Sequence, residues 1–528
     1  MTKLRIYYKA STSLLQRVAT SAKIRNISTL GKKIDHKCFN KKTASKTHPL
    51  PPGPTPFPLI GCIIQMLQNR PTFRWIDKLM EQYDTPILCM RIGPSTHIVV
   101  VTSPDIACEF LKKEDAIFAS RPEVLSAYIT SEGYCSTVMS PLGNQWKKMR
   151  KIVNQNVLSM PIHKWLQPKR DEEANHLLLY IYNQIKKQNG LTDGGLVNIR
   201  TVSQHYCGNL MRHVIFGSRF FGEGTEDGGP GKEETEHVSA LFTILEYLYA
   251  FCITDYFQWL RGKTDFDGQE KIIRTANSSV RKYHDPLIVR RIQMWNDGVR
   301  NEEDDLLDVL IKHENPKLTL DEIKAQIGEL MLATIDNPSN AVEWAMGEMI
   351  NEPRILERAV KGAGQRGRNQ PTSPRACLKE AFRLHPFTPF NVPHVSVKDT
   401  VVGGYFIPKG SHVLLSRSGL GRNPNVWVNP KRFDPDRHLV GDGKEVVLSD
   451  NELKILSFST GRRGCPGVML GSTITTMLLA RMIQGFSWEL PYNVRAINLA
   501  ENHDNLQLFK PLVVIAKPRL PPYLYPKH

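Results

Sequence analysis

No stretch of this 528-residue chain approaches the run of about 18 apolar residues that a membrane-crossing helix needs. No Cys-x-x-Cys pair occurs among its nine cysteines, at positions 38, 62, 89, 108, 135, 207, 252, 377 and 465. Scattered and odd in number, they point neither to a zinc module nor to a disulfide framework. A reducing compartment, or the reducing face of a membrane, is the expected setting. Internal repeats are absent, which argues against solenoids and propellers. The basic residues do not interleave with an aromatic platform and no nucleic-acid-binding motif is present, so nucleic acid is not an expected partner.

Composition is that of an ordinary globular protein, with 41% hydrophobic and 23% charged residues. The formal net charge of +17 is concentrated at one end: residues 1–50 hold twelve Lys and Arg against a single acid, Asp35. That basic, Ser- and Thr-rich start has the character of an organellar transit peptide, or of a tail that touches anionic lipid. Three regions are expected: a basic extension over 1–48, a proline-rich hinge over 49–61, and one large body over 62–528.

The hinge, PLPPGPTPFPLIG, is too rich in proline for helix or central strand and reads as a stiff connection. Two β-rich runs follow, Ile87–Gly93 and His97–Thr102, separated by a Gly-Pro-Ser turn. Helical patterns then dominate, interrupted by a flexible acidic loop between Gly222 and Glu236. Short strands reappear over 399–416 and at LVVIAKP near the carboxyl end. The expected fold class is mainly α with small β-sheets.

The longest helix candidate begins with a capping box, Thr319 at N-cap and Glu322 at N3, and ends before Pro353. Halfway along stands ATIDNPSN, where Pro338 removes a hydrogen-bond donor at a cost of about 3 kcal/mol and should break the helix.

FSTGRRGCPG, Phe458 to Gly467, precedes a long apolar helical stretch. Its Phe-x-x-Gly-x-Arg-x-Cys-x-Gly spacing suits a thiolate-ligated haem. A Cys465 thiolate at the mouth of a helix is stabilised by the helix dipole and by backbone N–H groups. Gly461 and Gly467 admit close approach of the macrocycle, Phe458 shields the sulfur, and Arg463 offers a cation to a propionate.

This loop resembles the cysteine-ligand signature of the cytochromes P450, and further motifs follow in family order along the chain. Trp146 and Arg150 in WKKMRK are similar to the family's haem-propionate helix, and His394 to its second propionate contact. Glu380 and Arg383 in KEAFRLHP, with Arg437 in FDPDRH, are similar to its buried structural triad, which clamps the cysteine loop. The resemblance covers roughly Pro49 to Leu520. It implies the cytochrome P450 fold, with haem b between a long distal helix and the cysteine-ligand loop, O2 as co-substrate, and electrons from NADPH through NADPH–cytochrome P450 reductase.

The interrupted helix then matches the family's distal helix, where Asp336 keeps the usual acid but Asn337 and Pro338 replace the usual Thr pair. DNPSNAVEW, FNVPHV, GEGTEDGGPG and SFSTGRRGC together resemble the plant branch that N-hydroxylates amino acids and releases aldoximes, in glucosinolate or cyanogenic glucoside metabolism. That resemblance implies catalytic roles for Asp336, Asn337 and Pro338, and a substrate pocket at Ala333, Phe390, Asn391, Val392 and Leu506. It also implies the cytosolic face of the endoplasmic reticulum membrane, whereas the basic start alone suggests a mitochondrion or plastid. Two departures stand out. The start does not resemble the family's transmembrane anchor, and residues 361–375, KGAGQRGRNQPTSPR, lack the apolar period of the helices expected there. The alternatives are therefore a monooxygenase of another small hydrophobic substrate, or a haem-binding member without turnover.

Overall fold

The computed structural model describes residues 48–188, 193–363, 373–439 and 445–526. The transit-like extension and positions 364–372 of the Gly-, Arg- and Pro-rich segment lie outside them. The described chain is mainly helical with small sheets, as expected.

The two β-rich runs form an antiparallel pair, Ile87–Ile92 with Thr96–Val101. Strand His412–Leu415 adds parallel to the second, and His394–Val395 closes that sheet antiparallel to it. Near the carboxyl end, Val513–Pro518 lies between Gly195–Asn198 and Phe486–Glu489. The proline-rich stretch is not a free hinge. The Pro49 carbonyl accepts from Phe406 N and the Pro52 carbonyl from Cys89 N. At Gly53 a Cβ would sit 1.8 Å from the Cys89 carbonyl oxygen, so only glycine allows this docking.

The acidic loop also departs from expectation. A helix, Lys232–Tyr247, starts inside it. The remainder is tied down: His205 Nε2 lies 2.9 Å from the Gly228 carbonyl, and Asn183 donates to the Asp227 carbonyl. Sequence polarity suggested mobility, but side chains from neighbouring helices supply the partners.

The long helix spans Leu320–Asn351, about 48 Å at 1.5 Å per residue. Both capping-box bonds form, Glu322 N to Thr319 Oγ1 at 3.2 Å and Thr319 N to Glu322 Oε2 at 2.9 Å. Glu322 also pairs with Lys148 at 2.7 Å, tying the helix start to helix Asn144–Ile152. The helix runs through the core, packed most extensively against Ile199–Phe216.

It does not break at Pro338. The α-helix continues through the proline, because local side chains and tertiary burial offset the lost donor. Asn337 Nδ2 donates to the Ala333 carbonyl at 2.8 Å, and Ser339 Oγ to the Ile335 carbonyl at 2.7 Å. Trp344, Met346 and Val342 beyond it are completely buried. A cost of about 3 kcal/mol is small against several such side chains, each worth roughly 1.5–3 kcal/mol.

Candidate active site

Cys465 lies three residues ahead of helix Val468–Gly485. Its backbone N–H donates to the Phe458 carbonyl at 2.8 Å, closing the loop on itself. Gly467 N donates to Cys465 Sγ at 3.3 Å, the backbone contact that a thiolate needs. Gly461 has φ +74°, and a Cβ there would lie 2.4 Å from the Leu111 carbonyl oxygen. Phe458 packs edge-on to Phe382, 6.0 Å between centroids, so it is held from the Glu380 helix.

That helix, Pro374–Leu384, carries the expected structural triad. Glu380 and Arg383 are completely buried and joined by bonds of 2.7 and 2.8 Å. Arg437 Nε reaches Glu380 at 3.0 Å. The sequence reading missed a fourth member, His438, whose Nε2 lies 2.7 Å from Glu380 Oε2, although it adjoins Arg437. Burial would raise the Glu380 pKa, but bonds from Arg383 and His438 bring it down to about 2. Arg383 also donates to the carbonyls of Gly421, Pro430 and Arg432, which fastens the chain on either side.

Around Cys465 the structure gathers an excess of positive charge. Arg150 Nη2 donates to the Gly464 carbonyl at 2.7 Å. The Arg463 guanidinium lies 4.4 Å over the Trp146 ring and donates to the Ala119 and Ser140 carbonyls. Arg121, absent from the sequence reading, donates to the Val392 and Pro393 carbonyls. It stands in a loop with no periodic signal to mark it. Burial and the crowding of Arg121 push Arg463 down to about 8. The buried carboxylate facing this group is Glu329, itself raised by burial. His394 is buried, and its Nδ1 lies 2.8 Å from the Phe118 carbonyl. Burial holds the ring far below its ordinary pKa, so it is neutral and its Nε2 accepts unless an anion draws a second proton to it.

These residues fit a haem. Guanidiniums crowded with one carboxylate between them call for anions, which two propionates and a Cys465 thiolate would provide. Cys465 keeps exposed surface although protein surrounds most of it.

The central helix presents an open face. Ala333 is exposed and Asn337 half-exposed, whereas Leu332, Thr334, Ile335, Asp336 and Pro338 are buried. One helical turn separates the two open positions, so they share a face. Asp336 points elsewhere: Gln507 Nε2 approaches its Oδ1 at 3.4 Å, and burial raises its pKa to about 7. Asn340 is 4% exposed, and neither side-chain polar atom has a partner.

The expected substrate residues are only partly gathered. Leu506 is buried and its carbonyl accepts from Trp344 Nε1, which sets the 506–508 stretch against the central helix. Asn391 Oδ1 is taken by Leu415 N at 2.8 Å, while its buried Nδ2 has no acceptor. Val392 is half-buried. Phe390 packs against the cluster formed by Ile63, Met66, Met90 and Leu414 beside the first sheet.

The family model described as Cytochrome P450 matches residues 51–514. The chain is 52% identical over 499 residues to valine N-monooxygenase 1 of Manihot esculenta, covering 92% of this chain and 90% of that protein. It is 52% identical over 496 residues to isoleucine N-monooxygenase 1 of Lotus japonicus, covering 91% and 92%. Identity to the tyrosine N-monooxygenase of Sorghum bicolor is 46% over 503 residues, covering 93% and 89%.

Proposed function

The chain belongs to the cytochrome P450 family, and from that premise we propose that it converts an L-amino acid to an aldoxime. The observation that carries this reading is the near-full-length identity, about half of all positions, to plant enzymes named for N-oxygenation of valine, isoleucine and tyrosine. The reaction comprises two N-hydroxylations, each consuming one O2 and two electrons and releasing water. Loss of carbon dioxide and of a further water then gives the aldoxime. NADPH supplies the electrons through NADPH–cytochrome P450 reductase, and the prosthetic group is haem b.

Bound through Cys465, the haem supplies the activation of O2 that no side chain here provides. The chain's own residues hold and orient. Arg121, Arg150, Arg463 and His394, beside Trp146, receive the propionates. Ala333 and Asn337 form the opposite wall. Asp336, which faces Gln507 rather than that wall, has a pKa of about 7 and so can hold a proton at neutral pH. Asn337 offers an amide where a hydroxyl would otherwise stand, and Pro338 fixes the backbone around it. Asn391 Nδ2 offers a donor to the substrate carboxylate, with Val392 and Leu506 bounding the side chain.

Among the described residues no helix is long and apolar enough to cross a membrane. Phe57, Leu59 and Ile64 are exposed near the start of the body, and Trp259 and Phe266 are exposed beyond a segment packed against the same core cluster. These side chains support peripheral seating on the endoplasmic reticulum membrane.

The test is reconstitution with reductase and NADPH and a panel of single amino acids, following aldoxime and released carbon dioxide. Consumption of an apolar or aromatic amino acid with matched release of both is expected. Oxygenation of a compound without a carboxylate, and none of any amino acid, would favour another substrate class. A second reading, haem binding without turnover, rests on the 361–375 segment. Its mark is a thiolate-type carbon-monoxide spectrum with no aldoxime from any amino acid.

A further inference from the structure

We propose that Arg417 is an electrostatic tuning residue: a lone guanidinium set against the Cys465 loop that makes the thiolate-bound iron easier to reduce. The inference rests on the family reading of Cys465 as haem ligand, and goes beyond it by assigning a residue that no motif marks. Arg417 follows strand His412–Leu415 and its backbone N–H donates to the Pro389 carbonyl at 2.8 Å. Its guanidinium lies 4.4 Å over the Phe387 ring. Its one side-chain bond, Nη1 to the Ser457 carbonyl, is long at 3.4 Å, and its buried Nε has no acceptor. Among the described residues no carboxylate lies within ion-pair distance of it.

Position separates Arg417 from the propionate-binding group. Arg121, Arg150 and Arg463 all feel Glu329, and their charges act on one another. Arg417 shares no hydrogen-bond partner with them; its one acceptor, the Ser457 carbonyl, belongs to the stretch that leads into the Cys465 loop. Ser457 directly precedes Phe458, whose carbonyl receives the Cys465 N–H, so Arg417 leans on the thiolate side of the site.

A structural staple should have its donors satisfied, as those of Arg383 are. Arg417 instead is half-buried, with one long bond and a buried Nε that has no acceptor. Burial lowers its pKa to about 10, so it remains charged at neutral pH. A fixed positive charge in a medium of low dielectric stabilises whichever state holds one more electron. Arg417 acts through Cys465 and touches no reacting atom.

The test is a dye-mediated redox titration of the substrate-free, haem-loaded protein, in which one electron passes from the mediator to the ferric iron. Arg417→Met should lower the reduction equilibrium constant about tenfold, a shift of ~59 mV to more negative potential. Arg417→Gln, neutral but still able to donate to Ser457, should shift it in the same direction, and Arg417→Lys should stay near the parent. Unchanged potentials in the neutral variants would overturn the proposal. So would loss of haem loading in both neutral variants, which makes Arg417 a staple. Should the parent protein itself lack a thiolate-type carbon-monoxide spectrum, the reading of Cys465 fails first, an outcome distinct from either.

Discussion

Around Glu380 every carboxylate oxygen is answered: Oε1 by Arg383, Arg437 and Asp434 N, Oε2 by Arg383 and His438. On the central helix the balance is reversed. Asn340 buries an amide with no partner, Asp336 has one long bond, and Pro338 withholds a donor. The Glu380 region repays its desolvation in full and so belongs to the scaffold. The helix region carries unrepaid costs, the pattern of residues kept for what they do. Substitution should therefore hurt stability in the first region and relieve it in the second.

The largest effect lies where the scaffold meets the iron. Cys465→Ala should abolish the thiolate-type carbon-monoxide spectrum completely. Cys207→Ala and Cys377→Ala should keep it, because both cysteines are completely buried in the hydrophobic core. A surviving spectrum in Cys465→Ala would remove the basis of the whole assignment.

Next comes the Glu380 network. Glu380→Gln or Arg383→Met leaves a buried charge uncompensated, with an expected loss of about 3–5 kcal/mol and of haem-loaded protein. Because the folded-state pKa of Glu380 is depressed to about 2, its contribution is present above about pH 4.5. It is lost as pH falls from there towards 2, so parent and Glu380→Gln should converge in stability in acid. A Glu380→Gln protein that bound haem normally but turned over slowly would move this residue from scaffold to chemistry.

The two regions also differ in how much of them the sequence disclosed. Cys465, Glu380 and Arg383 sit in short strings whose spacing is local, so their roles could be read before folding. Arg437 was legible only through the family resemblance, and its neighbour His438 was overlooked. Arg121 and Gln507 act through contacts 272 and 171 residues away along the chain, and Arg417 through one 40 residues away. No local pattern records such a contact. The proline break was misread because propensity is local, whereas the burial and the Asn337 bond that hold the helix are not. Phe390 lies on the boundary: the family resemblance implied a place in the substrate pocket, whereas sheet packing sets it in the cluster beside the first sheet.

Asn337→Thr with Pro338→Thr restores the helix donor and should stabilise the protein by up to ~3 kcal/mol. Losing the Asn337 bond to the Ala333 carbonyl takes back about 1 kcal/mol of that. If this stretch serves catalysis, the more stable variant should give less aldoxime and more peroxide per NADPH. Equal coupling at higher stability would make the proline tolerated strain, and would erase the contrast with the Glu380 region.

Asp336 sharpens the contrast most finely, through pH. Its folded-state pKa, about 7, is raised above the ordinary 3.8 by burial, against which Gln507 and Arg200 work only weakly. The unfolded chain ionises near pH 4 while the folded protein keeps the proton, so stability falls as pH rises from about 4 to about 7 and then levels off. Asp336→Asn keeps shape and removes that titration. Its advantage over the parent should be small at pH 4 and grow by about 3 kcal/mol between pH 5 and 8, the sign opposite to that at Glu380. Thermal unfolding of both proteins across that range measures it. A parent and a variant with parallel stability profiles would mean that Asp336 is ionised and paired in the folded protein. It would then be a scaffold charge like Glu380 rather than a proton held in reserve.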